Sequence, residues 1–195
     1  MTLADRVRRA VGAHPAVTKI ELVGSRAEGD ATELSDWDFR LETDDFEGFA
    51  RALPELVSEL APIARQWDRL SPEWCFMLIL PGPTKVDLIF PDHPHADEPP
   101  WEPSRDNLAD VDAHFWDWMS WLHAKEARGK SELVASELEK LTRHLLAPLG
   151  SQGVPSSIAE AVGRYKAARD RAERELRVHV PRELEEAVMP RLMGA

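Results

Sequence analysis

LVGSRAEGDATELSDWDFRL, residues 22–41, decides how this chain is to be read. An apolar strand end runs into Gly24 and Ser25, a polar passage follows, and Asp36-Trp37-Asp38-Phe39 closes the stretch. A surface loop tolerates that composition but does not require that order. Along a strand successive side chains alternate, so Asp36 and Asp38 point one way while Trp37 and Phe39 point the other. Two carboxylates about 7 Å apart along a strand can converge on one group of ions. Gly24 permits close backbone approach. The N–H groups after it, with the Ser25 hydroxyl, can receive a phosphate at a helix start.

The same design recurs in KVDLIF, residues 85–90, where Val86, Leu88 and Phe90 share one face and Lys85, Asp87 and Ile89 share the other. Asp36, Asp38 and Asp87 can therefore stand on one face of a sheet whose opposite face is packed. Three crowded carboxylates repel one another and resist ionisation unless cations sit among them. Mg²⁺ suits such a site, because it takes oxygen ligands and completes its shell with water and substrate phosphates. Two such ions about 3.5 to 4 Å apart can activate an attacking hydroxyl and stabilise the leaving oxygen of an in-line displacement.

Around this stretch the pattern first alternates helices and strands. Leu3, Val7, Ala10 and Val11 recur at helical spacing, Thr18 to Val23 and Trp37 to Thr43 read as strands, and Phe46 to Leu60 reads as a helix that Pro54 should kink or divide. Ile63 to Trp67, Trp74 to Leu80 and Lys85 to Phe90 are further strands, the last two joined by a Pro-Gly-Pro-Thr turn. Residues 91–103 carry five prolines and predict an interdomain linker or extended arm. Beyond it the periodicity is helical: Asn107 to Ala127, Ser131 to Leu146, Ser156 to Val178, and a last helix opened by Pro181. The expected organisation is an α/β part over residues 1–103, including that linker, and a helical bundle over 104–195.

Composition narrows the function classes. A chain of 195 residues with 43% apolar side chains can bury a core, and its longest apolar run, Trp74 to Leu80, is far too short to span a bilayer. The N-terminus lacks the apolar core of a signal peptide. The single cysteine, Cys75, allows neither a disulfide framework nor a cysteine metal site, which points to a reducing cytoplasm. The net charge of -11 disfavours nucleic acid as the main partner and favours a cationic one. Residues 1–100 hold 10 basic against 19 acidic side chains and residues 101–195 hold 14 against 16, so most of the excess lies in the half that carries Asp36, Asp38 and Asp87.

The order Gly24-Ser25, ten intervening residues, Asp36-Trp37-Asp38-Phe39, then Asp87 on a later apolar strand resembles the DNA polymerase beta-type nucleotidyltransferase superfamily. With Ser35 before Asp36 and the GSRAEG turn, it is most similar to small bacterial members that include aminoglycoside and kanamycin adenylyltransferases. The resemblance spans roughly residues 18–90. It implies an α+β fold with a mixed sheet backed by helices, two Mg²⁺ ions, and transfer of a nucleoside monophosphate from an NTP such as ATP with pyrophosphate leaving. Gly24 and Ser25 would hold the outer phosphates, with Arg26 beside them. Asp36 and Asp38 would bind both metals, and Asp87 would bind the catalytic metal and accept the attacking hydroxyl's proton. Arg40 and Lys85 lie close enough in sequence to neutralise phosphate charge. The acceptor implied is a small molecule, favoured by the acidic surface to be a cationic aminoglycoside. The alternatives are a protein acceptor, as for antitoxin-type AMP-transferases, and a nucleotide-binding module without turnover.

Other motifs have plainer readings. Asp92-His93-Pro94-His95 has ligand types for a transition metal, but a proline-stiffened surface arm accounts for it. Phe115, Trp118, Met119 and Leu122 form a helical core stripe; Trp116 and Trp121 lie off it and are candidates for a substrate or homodimer surface. The arginines and lysine from Arg164 to Arg177 alternate with acids as a solvated helix face does.

Overall fold

The computed structural model describes residues 1–194 and divides into two compact units, Met1–Glu98 and Pro99–Ala195. The first is a five-stranded sheet with helices. Its strands are β1 (Val17–Val23), β2 (Trp37–Thr43), β3 (Ala64–Trp67), β4 (Glu73–Leu80) and β5 (Thr84–Pro94), arranged in the order β1-β2-β5-β4-β3. Only β2 and β5 pair in parallel, so the sheet is mixed, and this parallel pair lies at its centre.

One face of the sheet is packed, as the alternation predicts. Phe39 and Leu41 of β2, Val86, Leu88 and Phe90 of β5, and Phe76, Leu78 and Leu80 of β4 join one core. Helix α1 (Leu3–Gly12) contributes Val7 and Val11 to it, and α3 (Phe46–Leu56) contributes Phe49 and Leu53. Each large apolar side chain buried there stabilises the unit by about 1.5 to 3 kcal/mol. Thr2 opens α1 with a reciprocal cap: its hydroxyl accepts from the Asp5 N–H at 3.1 Å, and the Asp5 carboxylate accepts from the Thr2 N–H at 3.0 Å. Pro54 does not divide α3; the helix runs through it to Leu56 and tightens into a 3₁₀ turn over Val57–Leu60.

The proline-rich stretch departs from the expected linker at its start. β5 continues through Pro91 to Pro94, because these prolines fall where the register with β4 jumps from Trp74↔Phe90 to Glu73↔Pro94, a bulge that tolerates missing N–H donors. His93 stacks on Phe46 with ring centroids 4.2 Å apart, and His95 packs on Trp74 at 4.4 Å. Both imidazoles thus serve packing, and no group of three or more His, Cys, Asp and Glu among the described residues is arranged as a metal cage.

The second unit is helical: α4 (Leu108–Ala127), α5 (Ser131–Leu141), α6 (Ile158–Leu176) and α7 (Glu183–Leu192), with a π-helical turn over Thr142–Leu146 ending α5. α4 packs against the other three. Being covered on several sides, it buries more than one stripe, and this corrects the expectation for Trp116. That side chain is fully buried, edge-on to Phe115 and Tyr165, with its indole N–H donating to Asp112 at 3.2 Å. Trp121 stays half-buried with the Lys125 ammonium 4.9 Å above its ring. Arg169 is likewise no solvated side chain. Only 2% exposed, it donates to Asp112 at 3.1 Å and to Glu185 at 2.6 Å.

Among the described residues no helix is long and apolar enough to cross a membrane.

Candidate active site

The sheet face opposite the core is organised by register. Asp38 of β2 stands directly across the parallel ladder from Asp87 of β5. The same transverse row continues through Met77 of β4 to Gln66 of β3 on one side, and to Val23 of β1 on the other. Two carboxylates 49 residues apart in sequence (87 − 38) are thereby neighbours at the centre of the sheet. Like charges directly opposed across a ladder destabilise it, by roughly 0.2 to 1 kcal/mol on the scale of cross-strand pairs. Part of that cost is offset by Lys85, two residues before Asp87 on the same face, whose ammonium lies 3.2 Å from Asp87 Oδ1 and donates to Met77 Sδ at 3.5 Å.

β1 ends beside Asp38, and Gly24 follows at once. Its φ of +67° lies in the region that favours glycine, and a Cβ built on it would meet Asp38 Oδ2 at 2.7 Å. Glycine is required here for two reasons that coincide: the turn, and room for a carboxylate oxygen. Ser25 then opens α2 (Ser25–Glu28). This helix is a single turn, too short to supply a useful macrodipole, so any anion held there relies on the opening N–H groups, which have no intrahelical partner, and on the Ser25 hydroxyl.

Asp36 lies just before β2, at the end of a tight turn. In that turn the Ser35 N–H donates to the Thr32 carbonyl at 3.1 Å, and the Thr32 N–H donates to Ser35 Oγ at 2.8 Å. Arg26 closes it. Its Nε donates to the carbonyls of Ser35 and Asp36, each at 3.1 Å, its Nη2 donates to the Ser35 carbonyl at 2.6 Å, and its guanidinium lies 4.2 Å over the Trp37 ring. Burial pulls the Arg26 pKa down, against the opposing charges of Asp36 and Asp38. Trp37 itself packs partly on the core.

The structure thus brings together Gly24, Asp38 and Asp87, and sets Asp36 and Arg26 at the adjoining turn. Arg40 lies one row farther along β2, exposed and paired in register with Glu21 and Ile89. The carbonyl contacts of Arg26 escape a reading by sequence distance, because they depend on how the turn at residues 32–35 folds back.

The donor set suits a hard cation. Asp38 and Asp87 offer carboxylate oxygens from adjacent strands, and Gly24 leaves space against one of them. Mg²⁺ is commonly held by one or two carboxylates together with waters and substrate phosphates, so a site of this kind needs no preformed protein cage.

Residues 1–93 match the family model of the nucleotidyltransferase domain. A comparison with curated proteins finds none that matches. Among solved structures, the chain is similar to an aminoglycoside 6-adenyltransferase from Bacillus subtilis, with 12% identity, 98% of this chain and 96% of that chain covered, and a TM-score of 0.35. At that score the likeness carries no argument about substrate.

Proposed function

From the match of residues 1–93 to the nucleotidyltransferase domain, we propose that this transferase moves AMP from ATP to a hydroxyl of a small cationic acceptor of the aminoglycoside class. The observation that carries the reading is the pairing of Asp38 with Asp87 across the central parallel ladder, with Gly24 against Asp38. Such a pair costs stability and is best explained by a ligand that uses it.

In this reading Asp36, Asp38 and Asp87 hold Mg²⁺, two ions in all, which supply charge neutralisation for the phosphates and the departing pyrophosphate. The Gly24 backbone and the Ser25 hydroxyl hold the outer phosphates of the triphosphate. The acceptor oxygen attacks the α-phosphorus, a new O–P bond forms, and the bond from the α-phosphorus to the oxygen bridging the α- and β-phosphates breaks as pyrophosphate leaves. Asp87 takes the acceptor's hydroxyl proton, while Lys85 keeps a positive charge at its side. The acidic balance of the first 100 residues supports a cationic acceptor, since it raises the local concentration of positive ligands.

Incubation of the protein with Mg²⁺, ATP labelled in its α-phosphate, and a panel of aminoglycosides, neutral sugars and a protein extract tests the reading. Label on an aminoglycoside with release of pyrophosphate is expected. Label on a protein band assigns the acceptor to protein instead, and ATP binding without any transfer overturns the proposed reaction.

A further inference from the structure

Arg26 carries an inference that the phosphate-holding turn alone does not. A residue one position after Gly24-Ser25 would serve naturally as a cation for the triphosphate, yet its guanidinium is directed elsewhere. Nε and Nη2 are committed to two successive backbone carbonyls, those of Ser35 and Asp36, and the guanidinium rests on the Trp37 ring. These bonds are charge-assisted, and the contact over an indole adds a cation–π attraction. Their acceptors are well placed to transmit order. Ser35 is only 8% exposed and already locked to Thr32 through both its N–H and its hydroxyl, and the Asp36 carbonyl belongs to a residue carrying one of the carboxylates.

We propose that Arg26 is a positioning residue: its fork on the Ser35 and Asp36 carbonyls and its seat on Trp37 fix the backbone leading into β2, and with it the projection of Asp36 and Asp38. Resting on the metal-dependent transfer proposed above, this assigns Arg26 to the carboxylates rather than to the triphosphate. It also couples the two halves of the site. Arg26 is part of the turn that begins with Gly24, so displacement of that turn moves the carboxylate strand with it. Lysine cannot substitute, because a single ammonium on a flexible stem does not bridge two carbonyls and lie flat on an indole at once.

The test uses the full chain as wild type, Arg26→Gln and Arg26→Lys. Three readings are taken: Mn²⁺ binding without nucleotide by electron paramagnetic resonance, hydrogen exchange of peptides covering residues 30–38, and kcat and KM for ATP. Groups that orient metal ligands typically account for 10- to 100-fold in metal affinity or activity, so both variants should bind Mn²⁺ about tenfold or more weakly. Both should exchange faster over residues 32–37 and lose kcat in proportion, with KM for ATP within about twofold of wild type. Unchanged exchange and Mn²⁺ affinity would overturn the inference, as would a raised KM for ATP at preserved kcat, which is the mark of a direct phosphate ligand. Should Arg26→Gln fail to fold, Arg26→Lys retains the stem and the charge and is read alone. Exchange and Mn²⁺ binding need no substrate, so a wild type that transfers nothing refutes the reaction without obscuring whether Arg26 orders the turn.

Discussion

Asp38 and Asp112 are both aspartates on regular elements beside aromatic residues, and the two units treat them in opposite ways. In the helical unit one oxygen of Asp112 accepts from the Tyr165 hydroxyl at 2.7 Å, from Arg169 at 3.1 Å and from the Trp116 indole at 3.2 Å. Burial pushes the Asp112 carboxyl up, and those three donors pull against it. Arg169 passes the charge on to Glu185, which also pairs with Lys166 at 2.5 Å. The Asp112 carboxylate ties α4 to α6 and, through Arg169, to α7, with three donors from within the unit on one of its oxygens. Asp38 has a different setting: a second carboxylate opposite and a glycine that leaves room against its oxygen. A buried acid wrapped in donors is structural, whereas an acid set against another acid beside a glycine is the one that the proposed function assigns to a ligand.

The contrast fails if Asp38 proves structural. Asp38→Asn keeps the shape but removes the anionic oxygen that a hard cation requires. Several kcal/mol of transition-state stabilisation depend on it, so transfer should fall by about 10³-fold while the melting temperature holds or rises. Steady-state assays beside thermal melts check this, and undiminished transfer would remove Asp38 from the site. Asp112→Ala should behave in the opposite sense. Removing one partner of a buried ion pair typically costs about 3 to 5 kcal/mol, because the other is left buried without it. Urea unfolding followed through hydrogen exchange of residues 108–192 measures that loss, and a change below about 1 kcal/mol would make the network incidental. Gly24→Ala lies between the two. The methyl collides with Asp38 Oδ2 and the positive φ strains it, so stability should drop by about 1 kcal/mol and transfer by about tenfold. An alanine variant with full activity would show that the Asp38 carboxylate moves aside at no cost.

How far the sequence could be read differs between the same two regions. Alternation in WDFRL and KVDLIF identifies the strands, their packed faces and the shared outward face of Asp38 and Asp87, because a period of two leaves little choice. That these two aspartates are direct partners across a parallel ladder is a matter of topology. It depends on β3 and β4 lying between β2 and β5 in the chain but beyond β5 in the sheet, which local pattern does not encode. In the helical unit Trp116 was misplaced because a helical wheel assumes a single buried stripe, whereas α4 is covered by three helices. Arg169 was misplaced because the charge alternation along α6 does not show that its partners, Asp112 and Glu185, lie on other helices. A signal was present. Asp112 sits in register with Leu108, Phe115 and Met119 on an otherwise apolar stripe, and Tyr165 and Arg169 are spaced one helical turn apart on α6, so the inward acid had potential donors at matching spacing. The Arg26 clamp had no such signal, since backbone carbonyls carry no sequence identity.

The comparison also reaches the exposed end of the helical unit, where the smallest effect is expected. Glu160, at the start of α6, accepts from the Ser156 N–H and hydroxyl, both at 2.7 Å, and from Arg164 Nη2 at 2.6 Å. Those Ser156 bonds, followed by Arg164, hold its pKa at about 2, below the ordinary 4.5. A carboxyl whose pKa is depressed on folding stabilises the folded state above its unfolded pKa and ceases to do so as pH falls through its folded one. Glu160→Gln should therefore melt slightly below wild type at pH 7, and the difference should hold down to about pH 4.5 and close as pH approaches about 2. The pairing of wild type with variant isolates this one group from the other carboxylates that titrate over the same range. Asp112→Ala must show a different profile, since burial raises rather than lowers that carboxyl. If the Glu160→Gln difference instead persists unchanged to pH 2, the cap acts through shape and not through charge, and the helical unit commits fewer of its acids to its own stability than Asp112 suggests.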